Sequence, residues 1–340
     1  MSKEDQIVIM GIESSCDDTA VAVVENGEKI LSNLVSSQVD LHGKFGGVVP
    51  EVASRRHLDI VNVLVEEALR EADKEFSDLS AIAVTYGPGL VGALLIGVAT
   101  AKALAFACGL PLIAVNHITG HMYANFLVHP DLQFPLLSLI VSGGHTNLVY
   151  MEQHGKHEIM GRTRDDAAGE VFDKAARAVN LGYPGGPVID RLSQEGDPEA
   201  IKFPRAFLEE GSLDFSFSGL KSAVLNYLNR QKQKNREVNL KDLSASFQQA
   251  VVDVLVDKTL LAADKKGVER IALSGGVAAN KTLRAALSKG AEGKGYKLYY
   301  PPVEFCTDNA AMIACAGHYQ FLENNYAPLD LNAVPNLHLT

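Results

Sequence analysis

Cysteine is scarce in these 340 residues: Cys16, Cys108, Cys306 and Cys315 form no CxxC pair and no dense cluster. That argues against a disulfide framework and leaves reduced, buried thiols of a cytosolic protein as the expectation. Met1 to Gln6 is polar and lacks a secretory pattern. An unbroken apolar run is missing too. Leu90 to Ile113 comes nearest, but Gly92, Gly97, Lys102, Gly109 and Pro111 interrupt it. It predicts a buried helix followed by a strand, not a membrane span. Positive charge is also short, with 31 Lys and Arg against 41 Asp and Glu and a formal net charge of −10. This argues against a broad nucleic-acid-binding surface; a polyanion would need local patches or a partner protein. No low-complexity tract is present.

What is there fits a soluble globular α/β protein of two domains: 47% hydrophobic, 21% charged, and too long for one ordinary core. Ile7 to Glu13 predicts a strand. It meets the polar turn Ser14 to Asp18 and returns as Thr19 to Glu25, then passes the hairpin signal Asn26-Gly27 into Lys29 to Ser36. The same order recurs as Leu136 to Val141, the turn Ser142-Gly143-Gly144, Leu148 to Met151, and His157 to Arg162. This reads as an internal duplication. Helices and strands then alternate in both halves, which means largely parallel sheets covered by helices. Helices are predicted over Pro50 to Ala72, Val91 to Cys108, Ile118 to Leu127, Ala167 to Val179, Ser218 to Asn229, Leu243 to Lys266, Ala278 to Ser288 and Asn309 to Glu323. Arg230 to Lys241, polar and basic, reads as an exposed excursion.

Three glycine or acid turns sit at predicted strand ends. In Val141-Ser-Gly-Gly-His-Thr146 two adjacent glycines permit unusual backbone angles and close approach of a ligand. Their N–H groups suit an anion, and a plain hairpin is the alternative. In Ile271-Ala-Leu-Ser-Gly-Gly-Val-Ala-Ala-Asn280 a helix is predicted at once after Gly275 and Gly276, which suits phosphate or close approach of a nucleotide; a tight strand–helix connection with no ligand is the alternative. Asn280 would lie in its first turn, within reach of a base or ribose. In Gly11-Ile-Glu-Ser-Ser-Cys-Asp-Asp-Thr19 the acids Glu13, Asp17 and Asp18 suit a magnesium ion, a base or a substrate-orienting hydrogen bond. Turn-forming acids that face water are the plain alternative. Asp173 and Asp190, around the loop Gly182-Tyr-Pro-Gly-Gly-Pro187, either hold ribose hydroxyls or are helix-surface charges.

His117 and His121 fall on one helix face by their spacing of four, and such a pair commonly holds a transition metal. Asp308, opening the last helix, is a candidate third ligand, or else an ordinary N-cap. Ile118 stands where an HExxH protease has its glutamate base. That counts against a metalloprotease. A small-molecule kinase or ATP-driven switch fits the glycine turns but gives the histidines no task, and a non-catalytic scaffold leaves the polar turns unexplained.

Taken together, these motifs resemble those of the TsaD/Kae1/Qri7 family, and its bacterial TsaD branch in particular, along the whole chain. The resemblance implies the duplicated actin/Hsp70/sugar-kinase (ASKHA) fold with a central nucleotide cleft, the lobes spanning 1–135 and 136–307, with helix 308–325 packing back on the first. It implies transfer of a threonylcarbamoyl group from threonylcarbamoyl-AMP to N6 of adenosine 37, in tRNAs reading codons that begin with A. By position, His117, His121 and Asp308 match the family's metal ligands for iron or zinc. Ile140, Val141, Ser142, Gly143, Gly144, Asp173, Gly186, Asp190 and Asn280 match its substrate contacts. Archaeal-type relatives carry at position 140 a tyrosine able to join the metal; Ile140 cannot, so open metal positions remain. In the implied mechanism the metal polarises the carbonyl or anchors phosphate, Gly143, Gly144, Gly275 and Gly276 hold the adenylate, and Asp17 or Glu13, with His145 as alternative, takes the amine proton. Magnesium would accompany the nucleotide. The implied partners are tRNA, a TsaB-like paralogue, a TsaE-like ATPase and a TsaC-type synthase, with no membrane and a cytoplasmic location. Basic candidates for the tRNA are Arg55, Arg56, Lys221, Arg230, Lys232, Lys234 and Arg236.

Overall fold

A computed structural model describes residues 6–206, 209 and 211–339. The polar N-terminal stretch lies, up to residue 5, outside them. The chain divides into two compact units, Met1–Leu132 with Thr307–Thr340, and Gln133–Cys306.

The first unit runs β1 (Val8–Glu13), β2 (Asp18–Glu25), β3 (Lys29–Ser37), α1 (Val39–Gly43), α2 (Pro50–Glu71), β4 (Ala81–Gly87), α3 (Val91–Cys108), β5 (Leu112–Asn116) and α4 (His117–Tyr123). The sheet order is β3-β2-β1-β4-β5, antiparallel among the first three and parallel from β1 onward. Asn26 and Gly27 both take positive φ (54° and 74°), which makes the tight β2–β3 hairpin. β1 is buried on both faces, so it reads as a nearly continuous apolar run. Val8, Met10 and Ile12 pack with Val61, Val65, Val98 and Ala101 from α2 and α3.

The second unit runs β6 (Leu136–Val141), β7 (Thr146–Gln153), β8 (Lys156–Arg162), α5 (Ala168–Ala178), α6 (Gly185–Ser193), α7 (Ser218–Gln233), α8 (Leu240–Lys266), β9 (Arg270–Ser274), α9 (Lys281–Lys294) and β10 (Lys297–Tyr299). Its sheet order, β10-β9-β6-β7-β8, repeats that of the first unit with the same strand directions. Asn239 caps α8 at its start and Gly267, at φ 64°, ends it. Phe172 and Phe247 meet edge to face, 5.5 Å apart, in the apolar core beneath.

The chain then re-enters the first unit as α10 (Ala310–Leu322). This helix lies unusually close to β1. A Cβ on Gly11 would stand 2.3 Å from the Ala310 carbonyl oxygen and 2.8 Å from the Ala314 nitrogen. Small residues on both sides make that approach possible, and it brings Asp308, just ahead of the helix, over the carboxyl end of β1. The tail that follows runs along the same unit. Ala327 N–H donates to Leu112 O at 2.7 Å, Val334 N–H to Tyr86 O at 2.8 Å, and Asn116 Nδ2 to His338 O at 3.3 Å.

Several expected boundaries change. α4 ends at Tyr123 instead of Leu127, α7 reaches Gln233 and α8 starts at Leu240, so the basic excursion shrinks to residues 234–239. Gly275 leads first into a 3-10 turn, Gly276–Ala279, and α9 begins only at Lys281. α3 is long and apolar enough to cross a membrane by length and composition. It is not buried all round as expected: Ala93, Leu94, Gly97, Val98 and Ala101 face inward, but Val91, Leu95 and Phe106 are exposed. Of the four free thiols, Cys306 and Cys315 are buried, Cys16 is intermediate and Cys108 is exposed, contrary to the expectation of burial.

Asp165 ties the segment after β8 to the start of α7. Its carboxylate accepts from the Ser216 and Ser218 hydroxyls at 2.5 and 2.7 Å, and from the Phe217 and Ser218 N–H groups at 2.8 and 3.3 Å. Partial burial alone would raise its pKa, but these donors outweigh that and hold it below the usual carboxylate value. The unfolded chain therefore binds this proton more tightly, so the clamp stabilises above pH ~4 and its contribution fades as pH falls. Asp165→Asn is expected to melt a few degrees below the natural chain near neutral pH, with the gap closing below about pH 3. Thermal melts across that range check it, and a gap that does not change with pH would contradict it.

Candidate functional site

Asn116 Oδ1 accepts from Ile118 N–H at 2.8 Å and so starts α4 immediately after β5. One helical turn then places His117 and His121 side by side, ring centroids 4.7 Å apart. Asp308 approaches both: its Oδ1 lies 3.6 Å from His117 Nε2 and 3.3 Å from His121 Nε2. It is not the cap of α10. Asn309 takes that role, its Oδ1 accepting from Met312 N–H at 3.0 Å, so the plain alternative for Asp308 falls away.

The donor set fits a metal ion. Ligand atoms from the three residues all lie within 4.8 Å of one another. Ligands about 2.1 Å from one cation at tetrahedral angles stand about 3.4 Å apart, close to the observed spacings. Both ring nitrogens of His121 are buried without a hydrogen-bond partner. Its Nε2 is near enough to Asp308 for an ion pair, yet not directed as a hydrogen bond. A shared cation between them satisfies both groups.

Behind His117 stands Glu13, with no exposed surface. One carboxylate oxygen accepts from Ser15 N–H at 2.6 Å; the other contacts Thr85 Oγ1 at 2.6 Å and His117 Nδ1 at 3.0 Å. Ser15 Oγ is a further 3.2 Å neighbour of that nitrogen. Burial alone would raise the Glu13 carboxyl, but the His117 charge and the hydrogen bonds hold it below its ordinary value. For His117, burial pushes the pKa down, while the Asp308 and Glu13 carboxylates more than reverse this and lift it to about 9. The site therefore carries a negative field suited to a cation. Glu13 is removed as a candidate base: its oxygens are engaged, and it faces His117. It orients the ring so that Nε2 faces Asp308.

Asp17 and Asp18 are half-buried, not the water-facing turn acids of the plain alternative. Desolvation raises the Asp17 carboxyl, with Asp308 adding repulsion against the opposing Cys16 hydrogen bond. Desolvation also pushes Asp18 up to about 7 despite a hydrogen bond from Ser37. The turn is held by a residue the sequence did not reveal, His57 of α2. Its Nδ1 meets Thr19 Oγ1 at 2.7 Å and its Nε2 the Cys16 carbonyl at 2.9 Å. Burial drives the Cys16 thiol far up, so it is inert.

In the second unit, Ser142-Gly143-Gly144-His145 closes through Ser142 N–H to His145 O at 2.8 Å and His145 N–H to Ser142 Oγ at 3.2 Å. Neither Gly143 nor Gly144 takes positive φ. Nor does the fold itself require their lack of bulk: a Cβ on either would meet nothing within 4 Å, so the space beside both is open. Ile140 and Val141 have no exposed surface, so direct side-chain contact with a ligand falls to residues beyond them. At the end of the adjacent parallel strand, Gly275 does need its freedom. It sits at φ 89°, and a Cβ there would lie 2.4 Å from the Val141 carbonyl oxygen. Gly276 is open on that side. The two turns thus share the carboxyl edge of β6 and β9, where open α/β sheets bind ligands. Asp173 Oδ1 accepts from Gly185 N–H at 2.7 Å and anchors the start of α6, beside Gly186. Asn280 is the N-cap of α9, not a residue within it; its Oδ1 accepts from Leu283 N–H at 2.8 Å. Asp190 lies on α6 and contacts Gln248 of α8.

Two α/β units of one strand order, with glycine and acid turns at their strand ends, define the duplicated actin/Hsp70/sugar-kinase class. Solved structures agree. Component A of (R)-2-hydroxyglutaryl-CoA dehydratase from Acidaminococcus fermentans aligns with a TM-score of 0.55 at 15% identity, covering 92% of this chain and 98% of that one. HypF of T. kodakarensis aligns with a TM-score of 0.63 at 16% identity, covering 93% of this chain and 48% of the other. At such identities the likeness shows the fold alone. Within that class the chain belongs to the TsaD family, whose model, described as tRNA N6-adenosine threonylcarbamoyltransferase, matches residues 29–315. It is 57% identical to the protein of that description from Clostridioides difficile over 97% of this chain and 98% of the other. To that of Moorella thermoacetica it is 59% identical over 97% of each.

Glu13→Gln tests the orienting carboxylate. An amide offers one accepting end to three donors, so His117 loses its support. Metal affinity is expected to fall about 10- to 100-fold, read by competition with a chelator. An unchanged affinity would refute the assignment.

Proposed function

We propose that this chain transfers a threonylcarbamoyl group to N6 of an adenosine in tRNA, with a divalent cation at His117, His121 and Asp308. The carrying observation is the triad itself: a histidine pair and an acid brought together and backed by buried Glu13, in a chain of the TsaD family. The finer reading is threonylcarbamoyl-AMP as donor and adenosine 37 of tRNAs reading codons that begin with A as acceptor. Iron or zinc suits the two imidazoles and one carboxylate.

The acceptor is an aromatic exocyclic amine, a weak nucleophile, so the reaction depends on alignment and on charge stabilisation at the carbonyl. When bound, the cation supplies a Lewis acid and an anchor for anionic oxygen. Asp17 is the preferred proton acceptor: it is half-buried, and desolvation raises its basicity. His145, whose N–H is tied to Ser142 Oγ, is the alternative. The open faces of Gly143, Gly144 and Gly276 admit the adenylate phosphate to backbone N–H groups. Asp173, Gly186, Asp190 and Asn280 address the adenosine, and magnesium accompanies any nucleoside triphosphate. A metalloprotease is disfavoured, since Ile118 replaces the glutamate base and is buried.

The partners proposed are a TsaB-like paralogue, a TsaE-like ATPase and a TsaC-type synthase that supplies the adenylate, in the cytoplasm. Val91, Leu95 and Phe106 form an exposed apolar strip along α3 that suits the paralogue. For tRNA, Arg230, Lys232, Lys234 and Arg236 project from the end of α7 and the link after it, all exposed. Arg55 and Arg56 on α2 and Lys221 on α7 are exposed as well.

Reconstitution with those partners, threonine, bicarbonate, ATP and unmodified tRNA is expected to yield the modified nucleoside. His117→Ala is expected to lose metal and product together. Product formation at the natural rate by the metal-free variant would overturn the cation's role. Replacing Lys232, Lys234 and Arg236 by glutamine should make tRNA affinity less salt-dependent, by about one unit of log–log slope for each phosphate no longer neutralised. Filter binding at several salt concentrations reads this, and an unaltered slope would assign the RNA to a partner.

A further inference from the structure

Gln248 is a buried amide in the apolar body of the second unit, 1% exposed. It lies on α8 and reaches both α6 and α9. Its Oε1 accepts from Asn280 Nδ2 at 2.7 Å. Its Nε2 lies 2.7 Å from Ser193 Oγ, 2.7 Å from Thr282 Oγ1 and 3.2 Å from Asp190 Oδ1. The other Asp190 oxygen accepts from Lys281 N–H at 3.4 Å. Asn280 Oδ1 is taken by the Leu283 N–H.

This pattern fixes orientations. Asn280 must turn its oxygen to the α9 backbone and its nitrogen to Gln248, and Gln248 must then turn its nitrogen toward α6. A buried amide is costly unless fully paired. Its buried neighbours along α8 are mixed, with Ser244 and Ser246 beside Ala245, Phe247, Ala250 and Val251. The amide brackets two of the side chains, one acid and one amide, that the proposed function assigns to the adenosine. Each keeps hydrogen-bonding capacity: a carboxylate has about four acceptor sites, and a primary amide about four in all.

We propose that Gln248 is a positioning residue for the nucleotide half of the substrate. It holds the Asp190 carboxylate and the Asn280 amide in one arrangement, so an adenosine nucleotide meets them without prior rearrangement. The inference rests on reading Asp190 and Asn280 as nucleotide contacts.

The test uses the full chain and AMP as probe, with calorimetry for affinity and thermal melts for folding. Gln248→Leu is expected to weaken AMP binding about tenfold, and to raise KM for the adenylate by a similar factor while kcat changes much less. Asp190→Asn should weaken AMP binding as well. The double variant should bind hardly worse than the weaker single variant, because both changes break one arrangement. AMP affinity within twofold of the natural chain in Gln248→Leu, beside a clear loss in Asp190→Asn, would overturn the positioning role; so would full additivity. If Asp190→Asn binds AMP normally, the nucleotide reading itself fails and takes the inference with it. Should Gln248→Leu not fold, Ser193→Ala, which removes one partner of the amide, is expected to give a smaller loss of AMP affinity. No loss in that variant would also overturn the role.

Discussion

The contact between Glu13 and His117 is the one around which the first unit's candidate site is built. A carboxylate without solvent exposure needs donors on its oxygens, and Ser15, Thr85 and His117 supply them. Those residues come from the turn after β1, from the end of β4 and from the start of α4. One buried charge thus fixes the relative placement of three segments, and it leaves a single nitrogen of His117 turned toward Asp308. The close approach of α10 to Gly11 completes the arrangement by bringing the acid from the far end of the sequence. Strong local geometry and a negative field arise together, because the same carboxylates provide both.

The second unit uses a related device without a charge at its centre. Gln248 links three helices, as Glu13 links three segments. In each unit a fully buried polar group is tied to side chains near the strand ends: the buried Ser15, Thr85 and His117 around Glu13, and the buried Asn280 with the half-buried Asp190 around Gln248. Polar networks of this kind specify one arrangement because any alternative leaves a donor or acceptor unpaired.

Much of this was legible in the sequence. The duplicated strand–turn–strand–hairpin pattern predicts both sheets, because the turns carry chemical markers such as Asn26-Gly27. The spacing of His117 and His121 predicts their shared face, since α-helical geometry is fixed. Asp308 was ambiguous, as an acid just ahead of a helix is equally suited to capping; Asn309 settles that locally. Depth was not legible. Glu13, Asp17 and Asp18 look alike in sequence, yet one lies in the floor of the site and two are half-buried, which depends on strand alternation and on a helix nearly 300 residues later. The glycines of 143 and 144 suggest unusual angles, which neither adopts; the structure shows only open space beside both. Gln248 and His57 gave no signal, because a polar residue on a long helix is ordinary until its partners are known.

The first unit is discontinuous: Asp308, α10 and the tail along Leu112, Tyr86 and Asn116 follow the whole second unit in the chain. During synthesis the ribosome therefore delivers residues 133–306 before the acid and the helix that close the first sheet. The second unit is contiguous and is free to fold as it emerges, whereas both histidines must wait for their third companion. Assembly of the His117, His121 and Asp308 cluster is thus a late event in maturation, and a nascent chain stalled before residue 307 holds the two imidazoles without the carboxylate that lies just ahead of α10.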